Sequence, residues 1–395
     1  MRRSARPAAL AAALATALLL TTACSGGPAA GNGDGNSSPA PDTPSASSPA
    51  ASEQPGDEPA GRSSPAPAEG SVEVTTTLAE DLDSPWGLAV LPEGDLLVSS
   101  RDTGRIHRIS GEDGSKTELG RVGGVQPGGE GGLMGIATNG DGHVYAYFTS
   151  ASDNRIVRML YNERREEGRQ LGEPDVVFKG LPKANIHNGG RIVFGPDKML
   201  YVGTGDAAQT RLAQDGDSPA GKILRMNPDG TPPEEGNPEP DSVVFSSGHR
   251  NVQGLAFDAD DRLWASEFGQ NTWDELNLIE AGGNYGWPEV EGKAGRDGFI
   301  DPVEQWRPAD ASPSGLAWAE GSLWMAGLRG ERLWRVPLDG EQPVADPQAF
   351  LEGEYGRLRT VLPDGEGGLW LVTSNTDGRG DPSGSDDRIL RLKVR

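Results

Sequence analysis

The feature that most constrains this chain is a unit that recurs six times from Trp86 to the C-terminus. Each copy has a strand of small and aliphatic residues, a Gly/Asp turn, a β-rich strand, a polar loop and a third strand. The copies are WGLAVLPEGDLLVSSRDTGRIHRIS, LMGIATNGDGHVYAYFTSASDNRIVRML, GRIVFGPDKMLYVGTGD with KILRMN, QGLAFDADDRLWASEFGQNTWDELNLI, SGLAWAEGSLWMAGLRGERLWRVPL, and RTVLPDGEGGLWLVTSNTDG with RILRLKV. The turns EGD, GDG, PDK, DDR, EGS and GEGG carry hairpin chemistry. The copies start about 45–63 residues apart. No segment keeps a long 3.6-residue period, and the charged run NERREEGR reads as a solvated loop. Six such units predict an all-β fold, a six-bladed β-propeller. A two-layer sandwich is the alternative.

In a blade the innermost strand leaves one face of the disc and the second strand returns to it. Residues just before first strands and just after second strands therefore share one rim around the axis. The first group holds Glu130, His187, Arg250 with Asn251, Asp310, and Arg357 with Arg359. The second holds Arg101, Asp206, Phe268 to Asn271, Arg329 and Asn375. The chain as a whole is acidic, with 36 Lys and Arg against 59 Asp and Glu and a net charge of −23. That balance argues against nucleic acid or an anionic membrane surface as a partner. Yet this rim gathers five arginines, whose forks match carboxylates bidentately. The pattern points to a pocket for a small polyanion.

Ahead of the repeats lie two segments of other kinds. Residues 1–23 read as a secretory signal peptide, in which three arginines precede a short apolar run. The ending LTTAC resembles a bacterial lipobox, which makes Cys24 the expected lipidation site and the secreted protein lipid-anchored to the outer face of the cell membrane. Cys24 is the only cysteine, so no internal disulfide is expected. Residues 24–71 are rich in Ser, Pro, Ala and Gly and read as a disordered tether, with a mean span of roughly 35–40 Å as a flexible coil. Residues 72–395 are then the propeller domain.

The strings NIHNGGR, SSGHRNVQGLAF, SEFGQNTWDELNLI, AGGNYGWP, ASPSGLAW, AGLRGERLWRV and YGRLRTV resemble the soluble pyrroloquinoline quinone (PQQ)-dependent aldose dehydrogenases of the glucose/sorbosone dehydrogenase group. The similarity covers residues 75–395. It implies a six-bladed propeller with PQQ and Ca²⁺ on one face, a small-molecule sugar as substrate and an electron acceptor left unassigned. Carried over by position, the resemblance makes His187 the general base and puts Arg250 and Asn251 in the cofactor site, with Arg250 near the reactive quinone oxygens. Gly269 and Gln270 match two backbone carbonyls that bind calcium, and Asp274 matches a nearby acidic position. Arg329 stands where a lysine contacts a PQQ carboxylate, and Arg357 and Arg359 match two arginines that hold the cofactor. Glu130 stands where a glutamine lies close to substrate and base. Other departures are Phe268 for an amide side chain, Asp310 for a hydroxyl residue, and Ile186 for an acidic residue beside the base. Ile186 removes one orienting partner for the histidine, and the substitutions together move the substrate contacts away from the glucose pattern.

The implied chemistry suits these residue types. Oxidising an aldose at its anomeric carbon to the lactone takes a base near neutral pH, which imidazole supplies, and a hydride acceptor, which the quinone supplies. A hard cation on oxygen ligands, with Arg250, would stabilise the charge that develops on the quinone. His249 is expected to pack rather than react. Most tryptophans are expected in blade cores, with Trp273 and Trp306 as exceptions that could meet a sugar. Two other functions fit a six-bladed propeller: a calcium-dependent hydrolase of lactonase type, and a non-enzymatic surface propeller that binds a glycan or protein. The first needs several carboxylates around one metal, where this rim offers arginines.

Overall fold

The computed structural model describes residues 65–395. The expected signal peptide, Cys24 and most of the expected tether lie outside the described residues. Six antiparallel sheets form the domain, one for each repeat. Their inner strands are Pro85–Val90, Leu133–Thr138, Ile192–Phe194, Val252–Phe257, Pro313–Ala319 and Leu358–Pro363. We number the blades 1 to 6 in that order.

The inner strands show why the small residues recur. Gly87, Gly135, Gly254 and Gly315 each press against the backbone of the next blade. A Cβ would sit 2.6 Å from the Met134 carbonyl oxygen, 2.2 Å from that of Gly190, 2.4 Å from that of Ser314 and 2.8 Å from that of Arg359, respectively. Closing a ring of six sheets leaves no room for a side chain there. Blade 6 breaks the rule with Thr360, whose hydroxyl donates to the Trp86 carbonyl at 2.6 Å and so makes the blade 6–blade 1 seam polar.

Each pair of neighbouring blades buries its own apolar cluster, six in all. Between blades 1 and 2, for example, Leu97, Ile106 and Leu119 meet Leu133, Val144 and Phe148. Inner and second strands are therefore buried on both faces, which is why they read as continuous apolar runs and not as alternation.

The repeats predicted three strands per unit; each sheet has at least four. The additional strands, such as Lys116–Arg121 and Glu304–Trp306, are short or half-exposed and carry no apolar pattern of their own. In blade 6 the outermost strand is Val72–Ala79, from the start of the domain, paired with Ile389–Val394. The first and last strands of the domain thus close the ring together.

The expected tether ends earlier than residue 71. Ala66 is buried and its N–H donates to the Leu338 carbonyl at 3.0 Å. Arg335, itself fully buried, donates to the carbonyls of Pro67 at 2.8 Å and Ala68 at 3.4 Å. Residues 66–71 are therefore docked on blade 5, at the end where its third strand finishes. That end lies opposite the rim that collects the arginines.

Candidate active site

The rim residues line one cleft of about 470 Å³. Glu130, His187, Arg250, Asn251, Gly269, Gln270, Asp274, Arg329, Arg357 and Arg359 all border it.

One wall belongs to blade 3 and its entering loop. His187 sits at φ +58°, a left-handed conformation that costs a residue with a Cβ about 1–2 kcal/mol. Three contacts hold it there. Its N–H donates to Glu130 Oε2 at 2.9 Å, its carbonyl accepts the Ala207 N–H at 3.1 Å, and its Nδ1 meets Asp206 Oδ1 at 2.7 Å. The loop is pinned by Asn188, whose side chain bonds both the N–H and the carbonyl of Ala184, and by Asn251, which accepts the Gly189 N–H at 2.9 Å. Gly189, at φ +62°, lies against Gly203 and Thr204, where a Cβ would come within 2.5 Å of the Gly203 oxygen. The glycines after the histidine thus let two strands approach each other, not a ligand.

The carboxylate expected to be missing beside the base is supplied by Asp206. It is fully buried and accepts from Trp287 Nε1 at 2.9 Å and from the Ala208 N–H at 2.8 Å, so its orientation is fixed. A carboxylate accepts, so Nδ1 carries the ring proton and Nε2 is left as the basic nitrogen. Nε2 makes no hydrogen bond to the described residues.

The opposite wall, from blades 6 and 1, concentrates positive charge. Arg357 and Arg359 both reach Asp377 Oδ2, each at 2.9 Å, and Arg101 donates to the Asp377 carbonyl at 3.1 Å. Burial alone would raise the Asp377 carboxyl, but the guanidiniums of Arg359 and Arg357 outweigh it and hold the group at about 2. Burial lowers Arg359 to about 10. Trp86 forms part of the cleft with the Arg359 guanidinium 5.7 Å from its ring centroid, and Arg191 lies 4.5 Å from the same ring. Arg191 is buried and bonds only neutral groups, Gln253 O and Thr360 Oγ1. Arg329, exposed at the rim, makes no ion pair among the described residues.

Between the walls, blades 4 and 5 supply a loop of oriented peptides. Glu291 Oε1 accepts the N–H groups of Gln270, Asn271, Thr272 and Trp273 at 2.7–3.1 Å. Burial opposes the Glu291 charge, and those four N–H groups more than offset it and lower its pKa. Asp274 ties the Gly269 N–H to the Ser312 N–H at 2.9 and 2.6 Å, and burial pushes its carboxyl up to about 6. With the N–H groups of residues 269–273 (Gly269 to Trp273) all committed to Asp274 and Glu291, the carbonyls of Gly269 and Gln270 accept no hydrogen bond from the described residues. Arg250 donates weakly to the Phe268 carbonyl at 3.4 Å, stands 5.3 Å from the Trp287 ring, and keeps its Nε buried without a partner. Among the described residues no group of three or more His, Cys, Asp or Glu is placed to hold a metal. A cation here would rest on carbonyls and on ligand oxygens.

Several assignments change. Asp310 is exposed and does not border the cleft; a turn closed by its N–H on the Arg307 carbonyl at 2.8 Å leaves Ser312 there instead. Trp273 stacks on Arg307 and Trp306 packs in an interblade core, so neither expected exception meets the cleft; Trp86 does. His249 packs as expected, fully buried between Ser246, Glu267 and Tyr285. The residues not anticipated are Asp377 and Arg379, from the loop SNTDGRGDPSGSDD, and Glu291, from PEVEG. Those loops carry no periodicity, and only the density of charge beside glycine marks them.

The glucose/sorbosone dehydrogenase family pattern matches residues 82–390. The PQQ-bound structure of the aldose sugar dehydrogenase (Adh) from Streptomyces coelicolor is 67% identical, covers 84% of this chain and 100% of that one, and superposes with a TM-score of 0.83. A putative oxidoreductase (glucose dehydrogenase) from Thermus thermophilus is 40% identical over 82% of this chain and 100% of that one, with a TM-score of 0.73. Quinoprotein glucose dehydrogenase B of Acinetobacter calcoaceticus is 33% identical over 260 residues, 56% of this chain and 54% of that protein. With the pattern spanning nearly the whole propeller, the chain belongs to the glucose/sorbosone dehydrogenase family.

Proposed function

We infer that the protein is a PQQ-dependent sugar dehydrogenase that oxidises the anomeric carbon of an aldose to the lactone, with Ca²⁺ as a second cofactor. The observation that carries this is the pairing, in one cleft, of an oriented His–Asp dyad with more arginine than carboxylate. Six arginines border the cleft (Arg101, Arg250, Arg329, Arg357, Arg359 and Arg379) against the carboxylates of Glu130, Asp274 and Asp377. That surplus fits a tricarboxylate. The orphaned Arg250 Nε is a buried donor that a ligand oxygen would satisfy.

Arg329, Arg357 and Arg359 would hold the carboxylates of PQQ, and the carbonyls of Gly269 and Gln270 would hold calcium. When bound, the quinone supplies the hydride acceptor and the cation the charge that polarises it. His187 Nε2 removes the proton of the anomeric hydroxyl. Asp206 keeps the imidazole in the productive tautomer and stabilises the imidazolium that forms. Trp287 and the Ala208 N–H keep Asp206 from turning away. Arg250 sits where it can neutralise charge developing on a ligand oxygen. A lactonase chemistry has less support, because the cleft carboxylates are engaged by arginines and backbone N–H groups.

The test is reduction of a dye by the protein supplied with PQQ and calcium over a panel of aldoses. Sugar-dependent reduction that needs both additions is expected; none with any sugar would leave a non-enzymatic propeller as the better account. We also propose that the protein is secreted and anchored through a lipid on Cys24. Cys24→Ser should then move it out of the membrane fraction, and its retention there would overturn the anchor.

A further inference from the structure

Glu130 and Arg379 form an ion pair that the proposed chemistry does not use. They come from distant parts of the chain, one before the inner strand of blade 2 and one in the loop after the second strand of blade 6, and they meet across the cleft. Glu130 Oε1 accepts from Arg379 Nη1 at 2.9 Å, while Glu130 Oε2 accepts the His187 N–H at 2.9 Å. The carboxylate therefore lies directly against the backbone of the proposed base. Glu130 and His187 border the same cleft, so a substrate that offers its hydroxyl to His187 would lie close to this carboxylate. The Arg379 side chain is 58% exposed and that of Glu130 21%, so the guanidinium faces solvent while the carboxylate stands deeper, beside the reacting position.

The other arginines of this side are already committed. Arg101 is bound to Asp102 and to the Asp377 carbonyl, and Arg357 and Arg359 to the Asp377 carboxylate. With Arg250 given to the cofactor in the proposed reading, Arg379 is the remaining cation that an anionic substrate would seek, and Glu130 both occupies it and repels the anion.

We propose that the Glu130–Arg379 pair sets the charge selectivity of the substrate site: it admits neutral aldoses and rejects aldoses that bear a carboxylate, such as uronic acids. The proposal rests on the sugar-oxidation reading for its substrate class, but it is tested by binding as well as turnover. Removing the Glu130 charge while keeping an acceptor for the His187 N–H reverses the preference, because Arg379 is freed and the repulsion is lost. An exposed pair of this kind is weak by itself, so little is lost in freeing Arg379, and its bond to the substrate carboxylate carries most of the effect.

The experiment compares glucose with glucuronate for the wild type, Glu130→Gln, Arg379→Ala and the double variant. It measures equilibrium binding to the protein loaded with calcium and reduced PQQ, which cannot accept the hydride, and kcat/KM by dye reduction. In Glu130→Gln the glucuronate-to-glucose ratio should rise about tenfold, the scale of one charge-assisted hydrogen bond. Adding Arg379→Ala should return it toward the wild-type value, and Arg379→Ala alone should not raise it. An unchanged ratio in Glu130→Gln, or a wild type that already prefers glucuronate, would overturn the proposal. Should the wild type oxidise no sugar, the function reading fails, yet the binding ratio still decides this one.

Discussion

The two walls of the cleft handle charge in opposite ways. On the blade 3 wall one imidazole meets one carboxylate, His187 on Asp206 at 2.7 Å, and the carboxylate is fully satisfied by Trp287 and the Ala208 N–H. On the blade 6 wall two guanidiniums share a single carboxylate oxygen of Asp377, with Arg101 on its carbonyl and Arg191 buried close by. The first arrangement is balanced and orients a proton acceptor. The second carries a surplus of positive charge that a polyanion would relieve. In the proposed function, proton chemistry and cofactor affinity fall to separate walls, and substitutions should separate them too.

The largest effect is expected at His187. Gln in its place keeps a polar group but supplies no base near neutral pH, so turnover should fall about 100- to 10,000-fold. PQQ affinity and melting temperature should stay near wild type. A large loss of stability, with activity recovered in the folded fraction, would mean that His187 only supports the fold. Asp206→Asn should follow. It leaves the ring in place but removes the charge that stabilises the imidazolium, and turnover should drop about 10- to 100-fold, the scale of one charge-assisted hydrogen bond. Steady-state kinetics showing an unchanged kcat would detach Asp206 from the chemistry.

On the other wall the expected loss is in affinity. Arg357→Ala should weaken PQQ binding by about 1.5–3 kcal/mol. The cofactor-free protein should lose little stability, because Asp377 keeps Arg359. An identical PQQ titration would remove Arg357 from the site.

The smallest effect concerns pH. The Asp377 carboxyl is held at about 2 against an ordinary 3.8, so its stabilising contribution is present above pH 4 and is lost as pH falls from about 4 to 2. The contribution is about 2 kcal/mol. Denaturant unfolding of the cofactor-free protein should show this loss, and Asp377→Asn should flatten it. A variant with the wild-type pH profile would contradict the charge surplus drawn for this wall.

The same contrast marks what could be read from the sequence. The ring of six blades was legible because four of the inner strands repeat a glycine at the seam, as in WGLAV, QGLAF and SGLAW, where the next blade's backbone leaves no room for a side chain. The arginine rim and His187 followed from their places before and after strands. The closing strand Val72–Ala79 was not legible as part of blade 6, since its partner lies at the far end of the chain. Asp377 and Arg379 sit in a Gly/Asp/Ser loop whose path no period dictates. Asp310 was misplaced by a two-residue offset within a turn, which moves a side chain from the cleft to solvent while leaving the strand register intact. Asp206 was placed on the rim, but its bond to His187 crosses from the end of one strand to the loop before another and shows only in three dimensions.

The arginine wall is proposed to receive a polyanionic quinone. This is tested most directly by titrating the calcium-loaded wild-type protein with PQQ and following the quinone's absorption. Saturable binding at equimolar PQQ is expected, weakened in Arg357→Ala and unaltered in His187→Gln. Absence of PQQ binding by the folded wild type, or binding lost in His187→Gln and kept in Arg357→Ala, would contradict it.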